Sequence, residues 1–292
     1  VREALQAGPL YFVQVMEAVS GRDLRQFRRW YQQAGTPVVS VTTHHDPQSE
    51  TLTMRVTQSC PPTPGQPEKA PLHIPLAVGL LDQSGQPLPL SLQGEEPGRE
   101  PATSRVLEIL QAEEPFVFTG LPQPPIPSLL RHFSAPVRLH ANLSDEALAF
   151  LWAHDPDPFN RWNAGQRLAS TLLLGLANQV RAGEPLVLED FFVESFAQVL
   201  RSRDLDPATT AMILTLPSEL ALMEEMEEAD PHALCTARQF VQKSLANRLS
   251  EFFLPIYEQY DLPGDAATAG PYHPTVAAQR ALKNRCLEYL VS

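Results

Sequence analysis

The sequence predicts a multidomain β + α protein. An antiparallel β-sandwich is followed by an all-α superhelical domain and preceded by two short helices. Three observations carry this. Apolar residues alternate with period two from Pro37 to about His140, and recur at helical spacing on either side. Sixteen of the 29 prolines fall between Pro61 and Pro136, where they interrupt strands rather than helices. The formal charge of −12 is concentrated in the helical part, where residues 144–292 hold 11 basic and 21 acidic side chains, a balance of −10. The expected boundaries are therefore 1–36, 37–143 and 144–292.

Within 1–36, Phe12, Val15, Met16 and Val19 share a helical face. Ser20-Gly21 breaks the pattern. Asp23 is placed to cap a second short helix carrying Leu24, Phe27 and Tyr31 on one side, with Gly35 as its C-terminal cap and Pro37 preventing continuation. Two such helices cannot bury their apolar faces alone. They need the sandwich, or a larger body before them.

From Pro37 the strands begin. Val39 and Val41 lead to a turn at His44–Glu50, and Leu52, Met54 and Val56 return, making a hairpin with one apolar face. Cys60-Pro61-Pro62-Thr63-Pro64-Gly65 ends it, because proline cannot donate to a ladder. Leu72, Ile74, Leu76, Val78 and Leu80 alternate again, and Pro75 among them predicts an edge position or a bulge. A short strand near Pro87–Leu92, a charged loop at Gly94–Ala102, a pair Val106–Leu110 with Pro115–Thr119, and strands at Leu129–Phe133 and Val137–His140 complete about eight.

Ser144 caps the next helix, with Asp145 and Glu146 suited to its dipole. Pro158 starts a long helix that ends at Gly183. Helices over Glu189–Arg203, Pro207–Leu214, Pro217–Glu228, Pro231–Tyr260 with a break at Pro255, and Thr275–Val291 follow, with a loop over Gly264–Pro274. Antiparallel helices with short turns suggest a superhelical array, although no strict repeat is present. The sequence opens on Val1 inside a helix-like pattern and stops on an apolar helix, so it reads as a piece of something longer.

The acidic surface disfavours nucleic acid, and no apolar run reaches the length of a membrane span. No signal peptide is visible. Cys60, Cys235 and Cys286 form no CxxC pair and fit reduced, mostly buried thiols in the cytoplasm. None of the eight histidines is followed by Glu, so HExxH is absent, as are a Walker loop, GxGxxG and GxSxG. Three stretches remain. His44-His45-Asp46 places neighbours on opposite strand faces and reads as an exposed turn. Glu224–Glu228 lacks calcium-loop spacing and reads as a solvated helix face. Asp155–Trp162 is densest in charge and aromatics, and reads as a capped turn with Trp162 packed between sandwich and helices. No catalytic, cofactor-binding or metal-ligating residue is expected in the chain.

Four segments together resemble the bacterial aminopeptidase N type of zinc aminopeptidases: Asp23–Val41, Ser59–Asp82, Phe133–Leu139 and Phe150–Ala169. They follow the family's order and spacing across essentially the whole chain. The resemblance implies the last helices of a thermolysin-like catalytic domain, then a complete Ig-like spacer sandwich, then the first part of a C-terminal helical domain. It also implies that the family's GxMEN motif, its HExxH zinc site and its catalytic Tyr precede Val1. Zinc and peptide substrates would then belong to the full-length enzyme, and this chain would contact the catalytic and helical parts it lacks. The alternative is a stand-alone binding module, an Ig-like sandwich joined to an α-solenoid, which should show repeats and a polar terminal cap.

Overall fold

A computed structural model describes residues 8–95, 102–202, 204–260 and 273–292. The chain forms two compact units that divide between Asn142 and Leu143.

The first unit begins with helix α1 (Pro9–Ser20), closed by Gly21 in the left-handed conformation at φ 68°. Val13 is buried, while Tyr11, Phe12, Val15, Met16 and Val19 are exposed. The predicted second helix is shorter than expected. Only Phe27–Tyr31 is helical, as a 3-10 turn. Asp23 caps no regular helix, because its carboxylate is taken by the backbone and guanidinium of Arg25 two residues on.

The sandwich follows, with seven strands among the described residues. They are β1 (Val38–Asp46), β2 (Thr51–Ser59), β3 (Ile74–Leu81), β4 (Arg105–Ile109), β5 (Glu113–Thr119), β6 (Ile126–Leu129) and β7 (Arg138–Ala141). One sheet has the order β5-β2-β1-β7 and the other β4-β3-β6. The expected hairpin is β1–β2, with Val41 opposite Val56. Val39, Val41, Leu52, Met54, Val56 and Phe118 from one sheet face Ile74, Leu76, Val78, Leu80, Leu107 and Ile109 from the other. All but one pairing is antiparallel. The exception is β7, which runs parallel to β1 from Val38↔Arg138 to Val41↔Ala141.

Several local expectations change. The strand β1 continues through His44, His45 and Asp46, so the turn is only 47–50. Segments Val106–Leu110 and Pro115–Thr119 do not pair: β4 joins β3 and β5 joins β2, because the chain crosses between sheets at 110–112. Pro75 lies in the central strand of its sheet, not at an edge. It is tolerated because β6 reaches only Val78–Leu81, leaving the start of β3 paired on one side alone. Residues 87–92 make isolated bridges at Pro87 and Leu92 rather than a strand. Strand β6 ends at Leu129, and Arg131–Phe133 is a tight turn with Leu130, His132 and Phe133 at positive φ. That turn covers the outer face of β3, where the guanidinium of buried Arg131 lies on Gly79. A Cβ at position 79 would come within 1.9 Å of Arg131 Cζ.

The second unit contains α2 (Asp145–His154), α3 (Pro158–Ala182), α4 (Asp190–Arg201), α5 (Pro207–Ile213), α6 (Glu219–Met223), α7 (Pro231–Gln259) and α8 (Pro274–Leu290). Ser144, Asp157, Asp206, Ser218 and Asp230 each cap a helix with a side-chain oxygen. Gly183 closes α3 at φ 69°. The helix α6 stops at Met223, well short of Glu228. Four carboxylates at a helix C-terminus repel one another and oppose the dipole. The irregularity in α7 sits at Leu249 rather than Pro255, since the ring crowds the turn before it and the helix yields upstream. Trp152, Phe192, Phe196, Phe253 and Tyr289 fill the core, with Phe253 and Tyr289 stacked at 4.8 Å. The buried Tyr289 hydroxyl donates to Leu214 O at 2.7 Å, and burial raises its pKa. Most of each expected loop, at Gly264–Pro274 and at Gly94–Ala102, lies outside the described residues, and Pro274 itself begins α8.

Candidate functional site

The three stretches singled out by sequence fall in different surroundings. His44 is exposed at the end of β1, and His45 points elsewhere, its Nε2 bonded to Leu121 O at 2.7 Å. Asp46 accepts from Gln48 N at 2.9 Å and Ser49 Oγ at 2.7 Å. Those bonds hold its carboxyl below the usual range, Ser49 contributing most. Of the three, Asp46 serves the hairpin turn while His45 ties β1 to Leu121, so the side chains do not share a partner.

The Asp155–Trp162 stretch is built around Arg161, which is fully buried. Its Nε donates to Trp152 O at 3.2 Å and its Nη2 to Ala153 O at 2.6 Å. These are carbonyls of the last turn of α2, which have no partner further along the helix. The same guanidinium reaches Ser202 Oγ at 3.1 Å and Asp204 Oδ2 at 2.7 Å beyond α4. One cation thus ties α2, α3 and the end of α4 together. Asp155 accepts from Asp157 N, and Asp157 caps α3 through Asn160 N, both at 2.9 Å. Trp162 is half-buried against Phe159 at 5.8 Å. The tryptophan that fills the core is Trp152, and Gly165 makes room for it: a Cβ there would lie 2.5 Å from Trp152 Nε1.

Glu225, Glu227 and Glu228 line an open cleft of about 650 Å³ with Leu174, Asn178, Arg181 and Met226. They lie past the end of α6, in turns rather than on a helix face. Among the described residues, no three His, Cys, Asp or Glu side chains gather in a way that could hold a metal ion. Of the cysteines only Cys286 is buried, where desolvation pushes its thiol up to about 12, while Cys60 and Cys235 are half-exposed.

The most elaborate polar construction is one the sequence did not reveal. The proline-rich loop between β2 and β3 presents backbone groups that its prolines leave without ladder partners, and side chains take them. Gln58, buried in β2, bonds both ways to Leu72, each at 2.8 Å, and donates to Gln111 O at 3.0 Å. Its amide thus acts as a substitute strand. From the segment before the sandwich, Gln26 donates to Pro71 O at 3.2 Å and Leu110 O at 2.7 Å. Arg29 also donates to Pro71 O, and Trp30 Nε1 to His73 O at 2.8 Å. Gln33 and Ala70 exchange two bonds at 3.0 and 2.7 Å. Gln26, Gln33 and Gln58, which precede a proline-rich stretch, are the available signal. Beside this joint, Arg22, Asp23, Leu24, Gln26, His73, Glu108 and Leu110 line a cleft of about 330 Å³, where Arg22 pairs with Glu108 at 3.0 Å.

Comparison with known proteins places this architecture. Residues 35–142 match a domain of unknown function (DUF3458) described as having an Ig-like fold, and residues 145–292 match one described as ARM repeats (DUF3458_C). The molecule is therefore an Ig-like sandwich followed by an ARM-type helical array. The chain belongs to the DUF3458_C family, which matches half of it. It is 40% identical over 282 residues to aminopeptidase N of Escherichia coli strain K12, covering 96% of this chain and 31% of that protein. Aminopeptidase N of Haemophilus influenzae is 36% identical over 279 residues, with 96% and 31% covered. That of Caulobacter vibrioides is 37% identical over 284 residues, with 96% and 30% covered. The crystal structure of Legionella pneumophila aminopeptidase A in complex with aspartic acid superposes with a TM-score of 0.76 at 28% identity, covering 97% of this chain and 31% of that one. The resemblance to bacterial aminopeptidases N holds across nearly the whole chain, which spans about a third of the length of these relatives. No helix among the described residues is long and apolar enough to cross a membrane.

Proposed function

We propose that this chain is a non-catalytic part of a zinc-dependent aminopeptidase that releases N-terminal amino acids from peptides. The sandwich acts as a spacer, and the helical unit forms part of the wall of the chamber in which peptides are cut. The carrying observation is the match to three aminopeptidases N over 96% of this chain but only 30–31% of theirs. The exposed apolar face of α1 supports an intramolecular contact with a catalytic region. The three free cysteines suit a reducing compartment, which supports a cytoplasmic reading.

Two experiments test this. After dialysis, the chain alone is expected to retain no zinc and to leave amino-acyl anilides intact; stoichiometric zinc held by its own residues would overturn the reading. Substituted for the corresponding third of the Escherichia coli enzyme, it is expected to support anilide hydrolysis. A chimaera that folds and loads zinc but never turns over would count equally against it.

A further inference from the structure

We propose that Gln66 and Lys69 are positioning residues: they lock a potential swivel just before the sandwich and so fix the catalytic region expected upstream. This step rests on the aminopeptidase reading above.

The swivel is the tether between the 3-10 turn and β1. It contains Gly35, at φ 99°, a conformation L side chains rarely adopt. The turn before it is already bonded to the far end of the proline-rich loop through Gln26, Trp30 and Gln33, and the tether is the stretch at which a residual rotation against the sandwich remains to be fixed. The proline-rich loop grips the tether from two sides. Ala34 N donates to Gln66 Oε1 at 2.8 Å, while Ala34 O accepts from Lys69 Nζ at 2.6 Å. One residue therefore has both of its backbone polar groups held by side chains of a distant loop. The grip extends back two residues, where Gln66 Nε2 donates to Gln32 O at 2.9 Å. Lys69 also donates to Thr63 Oγ1 at 2.7 Å and to Gln66 Oε1 at 2.8 Å, so the two gripping side chains brace each other. Gly35 itself sits close against the loop: a Cβ there would lie 3.3 Å from both Cys60 Sγ and Thr63 Cγ2.

The prolines at 61, 62, 64, 67 and 71 restrict φ along the loop that presents these groups. The socket is thus preorganised, and little entropy is lost when the tether docks. A surface hydrogen bond alone adds little stability. A set that converges on one residue of a flexible tether instead removes a specific rotation. In an enclosed peptidase that rotation would alter how tightly the catalytic region and the parts after the sandwich close around a peptide.

The test uses Lys69→Met, Gln66→Leu, the double variant and Lys69→Arg in the full-length enzyme that carries this chain. Hydrogen exchange at the Ala34 amide is expected to accelerate in the first three. Their kcat on a single amino-acyl anilide is expected to stay unchanged, while discrimination between short and long peptides, read as a ratio of kcat/KM, relaxes severalfold. Lys69→Arg, which keeps a cation with several donors, is expected to restore discrimination. If exchange accelerates but the ratio does not move, the positioning role is wrong. If exchange does not change, the grip does not exist in solution and the proposal falls. A wild-type enzyme with no anilide hydrolysis overturns the functional reading and this inference with it, which separates the two failures.

Discussion

The two units meet the same requirement, that buried backbone polar groups find partners, by opposite means. In the helical unit the backbone satisfies itself along each helix, and only the ends need help. At the N-termini that help is short and local: Ser144 bonds Ala147 N at 3.3 Å, Asp157 bonds Asn160 N at 2.9 Å, and Asp230 bonds Ala233 N at 2.9 Å. In the sandwich unit, prolines interrupt the ladders and leave carbonyls stranded in a loop. Long amide side chains then reach them from far along the sequence: Gln26 reaches Pro71 O from 45 residues away and Gln33 reaches Ala70 O from 37. Local capping is written in adjacent residues. Remote satisfaction is not, and it makes the loop depend on the segment before the sandwich.

The comparison can be tested by removing one device at a time and following urea unfolding through fluorescence. Trp30 reports on the first unit, Trp152 and Trp162 on the second. The largest effect is expected at Arg161, a fully buried remote device within the helical unit. Arg161→Met strands the Trp152 and Ala153 carbonyls, and should destabilise that unit by about 3 kcal/mol while leaving the Trp30 transition in place. Gln58→Leu strands both backbone groups of Leu72 and should cost the sandwich about 2 kcal/mol. If it costs no more than a surface substitution, the substitute-strand account of Gln58 is wrong.

Local caps should cost less, since water replaces them. Asp206→Ala is expected to lower stability by about 1 kcal/mol at neutral pH. Thr209 holds the Asp206 carboxyl below its ordinary range, with the Thr209 and Ala208 amides also bonded. Its folded pKa is thus depressed. Its contribution is full above the unfolded value of about 4 and is lost as pH falls through the folded one. Asp206→Asn should therefore flatten the acid limb of the stability curve; an unchanged slope would show the cap is not ionised. Smallest of all, the thiols should react without affecting stability. At pH 8 an alkylating reagent should label Cys60 and Cys235 but spare Cys286, whose burial holds it protonated. Mass spectrometry showing three labels on the folded chain would contradict that packing.

What could be read in advance follows the same division. The β1–β2 hairpin, the Ser144 cap, and the start and stop of α3 at Pro158 and Gly183 rest on residues close in sequence, and the structure has them. The edge position expected for Pro75 fails because its tolerance depends on where β6 ends, at Leu129, more than fifty residues later. β4 and β5 were paired with each other because nearness in sequence favours a hairpin, whereas the core needed one strand in each sheet. The Asp155–Trp162 stretch was visible as a concentration of charge. That Arg161 caps α2 from inside α3 depends on Ser202 and Asp204, which no local pattern ties to it.

The parallel pairing of β1 with β7 has a mechanical meaning. The first and last strands of the sandwich lie side by side and run the same way, from Val38↔Arg138 to Val41↔Ala141. A pull that draws the chain before β1 away from the chain after β7 would slide these strands past one another, loading every bond of the short ladder together instead of peeling them one by one. Tension along the chain would meet this element in its resistant direction, with the β1–β2 ladder behind it carrying the same strand from the other side.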